Sequence, residues 1–292
     1  MDMLYKFGPA VISLRDFSVN NLFAMWHWRL DQFKTDAHLS PNLQVNLNPL
    51  NSVITPTGTI SSEEKSGFFC KKVFKLENGD MLWTLTEKST GKNMLSCIVS
   101  GDYQNIQLLE DNTDTAGTAA FEYLSKIFLY AAIKRDVLSF HGVLMEYKGS
   151  GIIIAAPSET GKSTHARMWR DTKNALIING DNACCYKKDS IWTGFGIPWC
   201  GTSGEAINRH VPVKALVILK RGTRNTAQRL SQYDGFTECF PLTHRPQWDK
   251  ALTEASVDLL NDFITETPVI ELTCLPDEES VNVLENALEG II

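Results

Sequence analysis

The chain has 292 residues, of which 43% are hydrophobic and 21% charged, with a formal net charge of −6. That length holds two modest domains or one large one, and the composition is globular rather than disordered. An acidic balance without a basic cluster argues against a nucleic-acid surface; no apolar stretch is long enough to span a bilayer and the first residues do not open a secretory signal, so a cytoplasmic protein is expected.

The first part of the chain, residues 1–118, reads as a β-rich domain available for substrate recognition. Residues 67–76 and 81–85 flank Asn78-Gly79 and predict a hairpin on that turn. Residues 94–99 and 106–109 predict a second strand pair around Gly101-Asp102. Further upstream, Trp26, His27 and Trp28 form an aromatic cluster that core packing explains better than ligand binding. From 119 to 135, Phe121, Leu124, Ile127, Phe128, Ala131 and Ala132 recur at helical spacing and predict a helix with a buried stripe.

Residues 137–147 predict a strand, Gly149-Ser150-Gly151 a turn, and 152–156 a short all-apolar strand of the kind covered on both faces of a sheet. A loop follows, and from Gly161 onward Lys162-Ser163-Thr164-His165-Ala166-Arg167-Met168-Trp169 continue as a helix. Residues 175–178 predict a strand ending at Asn179-Gly180-Asp181-Asn182. Residues 183–186 and 191–193 predict a hairpin around Lys187-Lys188-Asp189-Ser190, and 213–219 a core strand. Helices over 250–263 and 279–288 bracket a strand over 269–275, with Pro276-Asp277-Glu278-Glu279 as the start signal of the second. Seven cysteines, Cys70, Cys97, Cys184, Cys185, Cys200, Cys239 and Cys274, are an odd number without metal-ligand spacing and suit reduced thiols.

The chemistry sits in Ala156-Pro157-Ser158-Glu159-Thr160-Gly161-Lys162-Ser163-Thr164. A strand, a tight loop and a helix start place free backbone amides around an anion. Gly161-Lys162-Ser163 adds an ammonium for the β- and γ-phosphates and a hydroxyl for Mg²⁺, which together imply a nucleoside triphosphate. The pattern departs from the full phosphate-loop motif in having Ala156 at its first glycine. Asp181, at the carboxyl end of an apolar strand, is placed where ligands of open α/β sheets bind.

With Phe140-His141-Gly142-Val143-Leu144, the loop, and Leu176-Ile177-Ile178-Asn179-Gly180-Asp181 in view, the chain resembles the catalytic domain of the HPr serine kinase family. That family shares a superfamily with ATP-dependent phosphoenolpyruvate carboxykinase. The resemblance implies an α/β fold, a mixed-sheet phosphate-loop domain over 119–292, with the β-rich N-terminal domain outside it. It implies ATP and Mg²⁺ as cofactors, Ser158, Glu159, Thr160, Gly161, Lys162, Ser163 and Thr164 as the nucleotide-binding loop, and Ser163 and Asp181 as metal ligands. His141, Lys162, Asp181 and Glu205 are the candidate catalytic residues; Glu205 comes from a Gly-rich loop with polar neighbours. The chain departs from the kinases in keeping one aspartate at Gly180-Asp181-Asn182 and in carrying Glu159 at a loop-glycine position. Stand-alone kinases of peptides or small hydroxyl compounds match better, through Ile197-Pro198-Trp199 and Leu219-Lys220-Arg221-Gly222.

The expected reaction is transfer of the γ-phosphate to a serine-type hydroxyl of a peptide, protein or small molecule, with no nucleic-acid or membrane partner and an oligomer allowed. A nucleotide-gated binding module without transfer activity and a carboxykinase-like enzyme remain as alternatives. His165 and Arg167 read as helix-surface residues. Arg167, Arg209, Arg221 and Arg245 are equally placed to reach a phosphate, and the sequence does not choose among them.

Overall fold

The computed structural model describes residues 3–15, 28–36, 38–49, 58–110 and 118–292. The chain divides into two compact units, Met1–Lys6 with Ala10–Ala131 and Phe7–Pro9 with Ala132–Ile292. Both are built on large mixed sheets, which makes the protein a mixed α/β fold.

The first unit carries strands β1 (Met3–Phe7), β2 (Ala10–Arg15), β3 (Leu43–Pro49), β4 (Thr59–Ser66), β5 (Phe69–Lys75), β6 (Met81–Glu87), β7 (Asn93–Val99) and β8 (Asn105–Glu110) in the order β1-β2-β3-β8-β7-β6-β5-β4. Strand β3 runs parallel to both β2 and β8, and β4 to β8 form an antiparallel meander. The β5–β6 hairpin closes through residues 76–80, with Gly79 at φ +87°. Asn78 organises that turn by accepting from the Asp80 amide at 3.1 Å. Helix α1 (Thr118–Ile133) lies on this unit: the Tyr123 hydroxyl donates to the Thr84 carbonyl at 2.8 Å, and Trp83 meets Tyr123 edge to face. The helix is buried around most of its circumference rather than along one stripe, since Tyr123, Leu129 and Tyr130 are buried together with Phe121, Leu124 and Ile127. Trp26 and His27 lie outside the described residues; Trp28 does not enter a core but is 58% exposed, with the Arg29 guanidinium 5.2 Å from its ring.

In the second unit, strands β9 (Leu138–Tyr147) and β10 (Ser150–Ala155) lead to helix α2 (Lys162–Lys173). Strands β11 (Leu176–Asn179), β12 (Asn182–Lys188), β13 (Ile191–Phe195), β14 (His210–Arg221) and β15 (Thr226–Arg229) follow. Helices α3 (Gln232–Cys239) and α4 (Lys250–Glu266), strand β16 (Val269–Cys274) and helix α5 (Glu278–Leu288) complete the unit. The sheet runs β10-β9-β12-β13-β14-β16-β15, β11 pairs with β9, and β10 pairs a second time with β14, closing a ring of strands. Strand β10 is antiparallel to β9 and parallel to β14.

Alternate residues of β10 enter different cores. Ile152 and Ile154 join Val143, Trp169, Val217 and Leu284, whereas Ile153 and Ala155 join Phe140, Leu216, Leu260 and Phe263. Full burial of both faces explains why this strand is apolar throughout. The turn before it is Lys148-Gly149, at φ +50° and +75°, and not Gly149-Ser150-Gly151. A two-residue hairpin of this twist needs two successive positive φ values, so Ser150 already pairs with Tyr147 and Gly151 is strand. The β12–β13 hairpin closes likewise on Asp189-Ser190 alone, which lengthens β12 to Lys188.

Strand β15 and helix α3 were not foreseen in the sequence. Ser231 caps α3 by accepting from the Asp234 amide at 3.1 Å, a local signal that was present in Ser231-Gln232-Tyr233-Asp234. All seven cysteines are buried free thiols, and burial pushes the Cys184 and Cys185 thiols up. Among the described residues no helix is long and apolar enough to cross a membrane.

Candidate functional site

Strand β10 ends at Ala155, residues 156–161 form a loop, and α2 starts at Lys162. Ala156 is fully buried and keeps an ordinary negative φ, so the first glycine of the expected pattern is not needed here. Positive φ falls instead on Glu159, at +64°, and on Gly161, at +119°. A left-handed glutamate costs about 1 kcal/mol or more and persists only where its surroundings hold it. Arg221, at the end of β14, is one such restraint: its guanidinium donates to the carbonyls of Glu159 and Thr160, the latter at 3.1 Å. The Thr160 hydroxyl adds a bond to the Pro157 carbonyl at 2.9 Å. Of the four arginines the sequence left equivalent, the structure therefore sets Arg221 against the loop. Arg209 pairs with Glu146, Arg245 with Phe240 and Thr243, and Arg167 faces Glu205.

Lys162 is buried and its ammonium is saturated. It donates to the carbonyls of Ala156 at 2.8 Å and Pro157 at 3.1 Å, and lies 3.0 Å from His141 Nε2. An ammonium has no lone pair, so Nε2 must be the acceptor and the His141 proton belongs on Nδ1. Nδ1 faces Asp181 Oδ1 at 3.5 Å, and Ser158 Oγ sits 3.3 Å from Nε2. Burial, then the Lys162 charge, hold the His141 pKa below its usual range against the opposing pull of Asp181. Burial likewise lowers the Lys162 pKa, with Asp181 opposing. The sequence-selected His141, Ser158, Lys162 and Asp181 thus form one contact group at the mouth of the loop.

Asp181 is fixed from below. The buried Asn179 carbonyl oxygen accepts the amides of Asp181 at 3.0 Å and Asn182 at 2.8 Å, while its NH₂ donates to the carbonyls of Ile197 and Trp199. Asn182, also buried, donates to Trp199 O at 3.1 Å and lies 3.4 Å from Asp181 Oδ2. Gly201, at φ +56°, leaves room for the carboxylate: a Cβ there would stand 2.8 Å from Asp181 Cγ. Asn179 and Gly201 carry no motif of their own, and only their place beside Asp181 reveals them. His244 is another residue the sequence did not offer. Its ring lies 6.3 Å from that of His141, edge to face.

The remaining candidates separate from this group. Glu205 turns its carboxylate to α2, with Arg170 at 2.7 Å and Arg167 at 3.9 Å. Ser163 is half-buried in the first turn of α2 and Thr164 is exposed. His165 is not a surface residue: it is 2% exposed, accepts from Trp169 Nε1 at 3.2 Å and faces Ser280 Oγ at 3.2 Å, and burial lowers its pKa to about 4. Among the described residues, no group of three or more His, Cys, Asp or Glu side chains is arranged to hold a metal. Mg²⁺ does not require one, because it takes one or two carboxylates and completes its shell with phosphate and water. Asp181 and the Ser163 hydroxyl are oxygen donors of that kind.

Two clefts flank the loop. One, of about 620 Å³ and open to solvent, lies against Ser158, Glu159 and the α3 side residues Thr237, Pro241 and Leu242. The other, of about 380 Å³, lies between Gly161, Thr164 and the ends of β14 and β16. Arg221 borders both.

Fold and site define an α/β protein with a strand, loop and helix presenting lysine, histidine and aspartate side chains together. The chain belongs to the ScmC family: the model of the SynChlorMet cassette protein ScmC matches residues 108–254, just over half of its length. No curated protein matches it. Among solved structures it is similar to the HPr(Ser) kinase/phosphatase from Coxiella burnetii, with 9% identity over 52% of this chain and 97% of that one, at a TM-score of 0.32.

Proposed function

We propose that the chain is an ATP-dependent phosphotransferase that moves the γ-phosphate to a serine-type hydroxyl of a peptide, protein or small molecule. The observation that carries this reading is the convergence of Lys162, His141, Ser158 and Asp181 at the open end of a loop that precedes a helix N-terminus. Phosphoryl transfer is catalysed by positioning and charge neutralisation, and these are the groups it needs. The loop amides and the α2 N-terminus bind the phosphates, and Lys162 exchanges its bonds to Ala156, Pro157 and His141 Nε2 for phosphate oxygens, which frees that nitrogen. Ser163 and Asp181 would hold Mg²⁺, which would supply charge neutralisation at the phosphates. Neutral His141, with Nδ1–H toward Asp181, presents Nε2 as the base for the acceptor hydroxyl. The 620 Å³ cleft at Ser158 gives the acceptor an approach to that nitrogen. Glu205, held by two arginines, is a positioning residue for α2 in this scheme.

The test is transfer from γ-labelled ATP to serine peptides, small hydroxyl compounds and extract proteins. Label carried by wild type and lost in Asp181→Asn supports the kinase. MgATP binding without label on any acceptor, in wild type as in the variant, refutes it in favour of a nucleotide-gated module. That alternative draws on the single strand-end acid and on the engagement of Glu205 by arginines.

A further inference from the structure

The 380 Å³ cleft between α2 and the ends of β14 and β16 falls within the volume range of small-molecule sites, roughly 300–1,000 Å³. It touches the loop at Thr160 and Gly161 and the helix at Thr164, and it does not include His141, Ser158 or Asp181. An extended triphosphate whose γ end lies at the His141 group therefore leaves the loop at this cleft. Its apolar lining is Met168 from α2 with Leu219, Cys274, Leu275 and Pro276 from β14, β16 and the turn after it. We infer that this cleft holds the nucleoside half of the triphosphate and grips the base by its faces without reading its edge, so that ATP and GTP are bound alike. The inference rests on the phosphate-loop reading proposed above.

The bonding around the cleft supports indifference to the base. Discrimination between purines requires polar groups aimed at the base edge, and a purely apolar slot separates ligands weakly. Most of the polar side chains and amides lining it are already engaged, the exposed Thr164 hydroxyl in the first turn of α2 excepted. The Leu275 amide donates to Asn225 Oδ1 at 2.8 Å, Pro276 has no N–H, and the Cys274 carbonyl accepts from Gly222 at 3.1 Å. Asn225 spends its NH₂ on Asp277 at 2.9 Å. Both ring nitrogens of His165 face Trp169 and Ser280, and Lys220 is held by Glu238 and Glu271 at 2.7 Å each. Arg221 is bonded to loop carbonyls and sits at the phosphate end. Away from the loop, no lining side chain with an uncommitted polar group is left to read the base edge, and the apolar side chains meet its faces.

Titration calorimetry of the full chain with MgATP, MgGTP and Mg-tripolyphosphate separates the two levels. The expected result is ATP and GTP within about threefold of each other, and tripolyphosphate bound at least about tenfold more weakly, a difference of about 1.4 kcal/mol. Leu275→Ala, on the exposed rim, is expected to weaken ATP several-fold and leave tripolyphosphate unchanged; Cys274→Trp, which fills the cleft, brings ATP down to tripolyphosphate. Tripolyphosphate equal to ATP in wild type, or a preference beyond about twentyfold for one purine, overturns the inference while leaving the loop assignment standing. ATP affinity unaffected by both substitutions overturns it too. Failure of tripolyphosphate and ATP alike to bind overturns the loop assignment and this inference with it.

Discussion

Adding a second acid beside Asp181 is expected to destabilise this protein. In Asn182→Asp a buried NH₂ that donates to Trp199 O becomes a carboxylate beside Asp181, whose Oδ2 now lies 3.4 Å from it. Two unit charges about 4 Å apart repel by about 4 kcal/mol at an effective dielectric of about 20, and the lost bond to Trp199 adds about 1 kcal/mol. Protonation caps the cost, because the new carboxyl escapes by binding a proton. At about 1.4 kcal/mol per pH unit above a reference of about 3.9, the ceiling is about 5 kcal/mol at pH 7.5. The expected loss is therefore about 3–5 kcal/mol at that pH. The sign follows from linkage: the folded pKa of the new acid is raised, so the penalty is smallest near pH 4 and grows as pH rises. Urea unfolding of both proteins from pH 4.5 to 8 in a metal-free buffer measures it. A variant within about 1 kcal/mol of wild type at pH 7.5 refutes the reasoning, since about 3 kcal/mol is the least that an unpaired buried charge should cost here. The other route to a second acid, Gly180→Asp, is barred sterically: its Cβ would meet Ser203 Oγ at 2.1 Å and Ser203 Cβ at 2.6 Å.

Lys162→Ala is expected to leave the fold intact, lower phosphoryl transfer by about 100-fold or more, and reduce the upward shift of thermal unfolding that MgATP gives wild type. Equal turnover in a labelled-ATP assay sinks the loop assignment. His165, with a folded pKa of about 4 against about 6.5 unfolded, contributes stability that is complete above pH 6.5 and is lost as pH falls toward 4, in total about 3 kcal/mol. His165→Gln should flatten that part of the stability profile by urea unfolding; an unchanged slope assigns it to other groups. Gly201→Ala places a methyl against the Asp181 carboxylate at a positive φ, with an expected cost of about 1–2 kcal/mol in thermal unfolding and at least about tenfold in transfer. Normal turnover would show that Asp181 does not need its observed position.

The parts of the site set by local sequence were legible. An all-apolar run before Gly161-Lys162-Ser163 admits few structures other than buried strand, loop and helix, and Asp181 follows another such run. His141, on the strand that pairs directly with β12, was legible only through the family resemblance, because it meets Asp181 through the cross-strand pairing of His141 with Asn182. What the sequence could not rank were long side chains. Arg167, Arg209, Arg221 and Arg245 have the same chemistry and reach, and the partners of Arg167, Arg209 and Arg221 lie 38 to 63 positions away, whereas Arg245 turns back on Phe240 and Thr243. The burial of His165 was hidden for the same reason. Its helix has charged residues on two sides, and the contact that buries it, Ser280, lies 115 positions away on α5.

The split of β10 between two cores also sets the tempo at which the loop can move. Ile152 and Ile154 answer to one apolar cluster, Ile153 and Ala155 to the other, and both edges of the strand are hydrogen-bonded. No local opening frees these amides, so their hydrogen exchange should occur only through unfolding of the whole unit, the slowest class in the molecule. Helix α3 reaches one of these cores only through its C-terminal Cys239 and Phe236, while its first turn carries the exposed Tyr233, so that turn should exchange sooner. In the proposed reaction, motion that admits an acceptor is then expected on the α3 side of the open cleft rather than in β10.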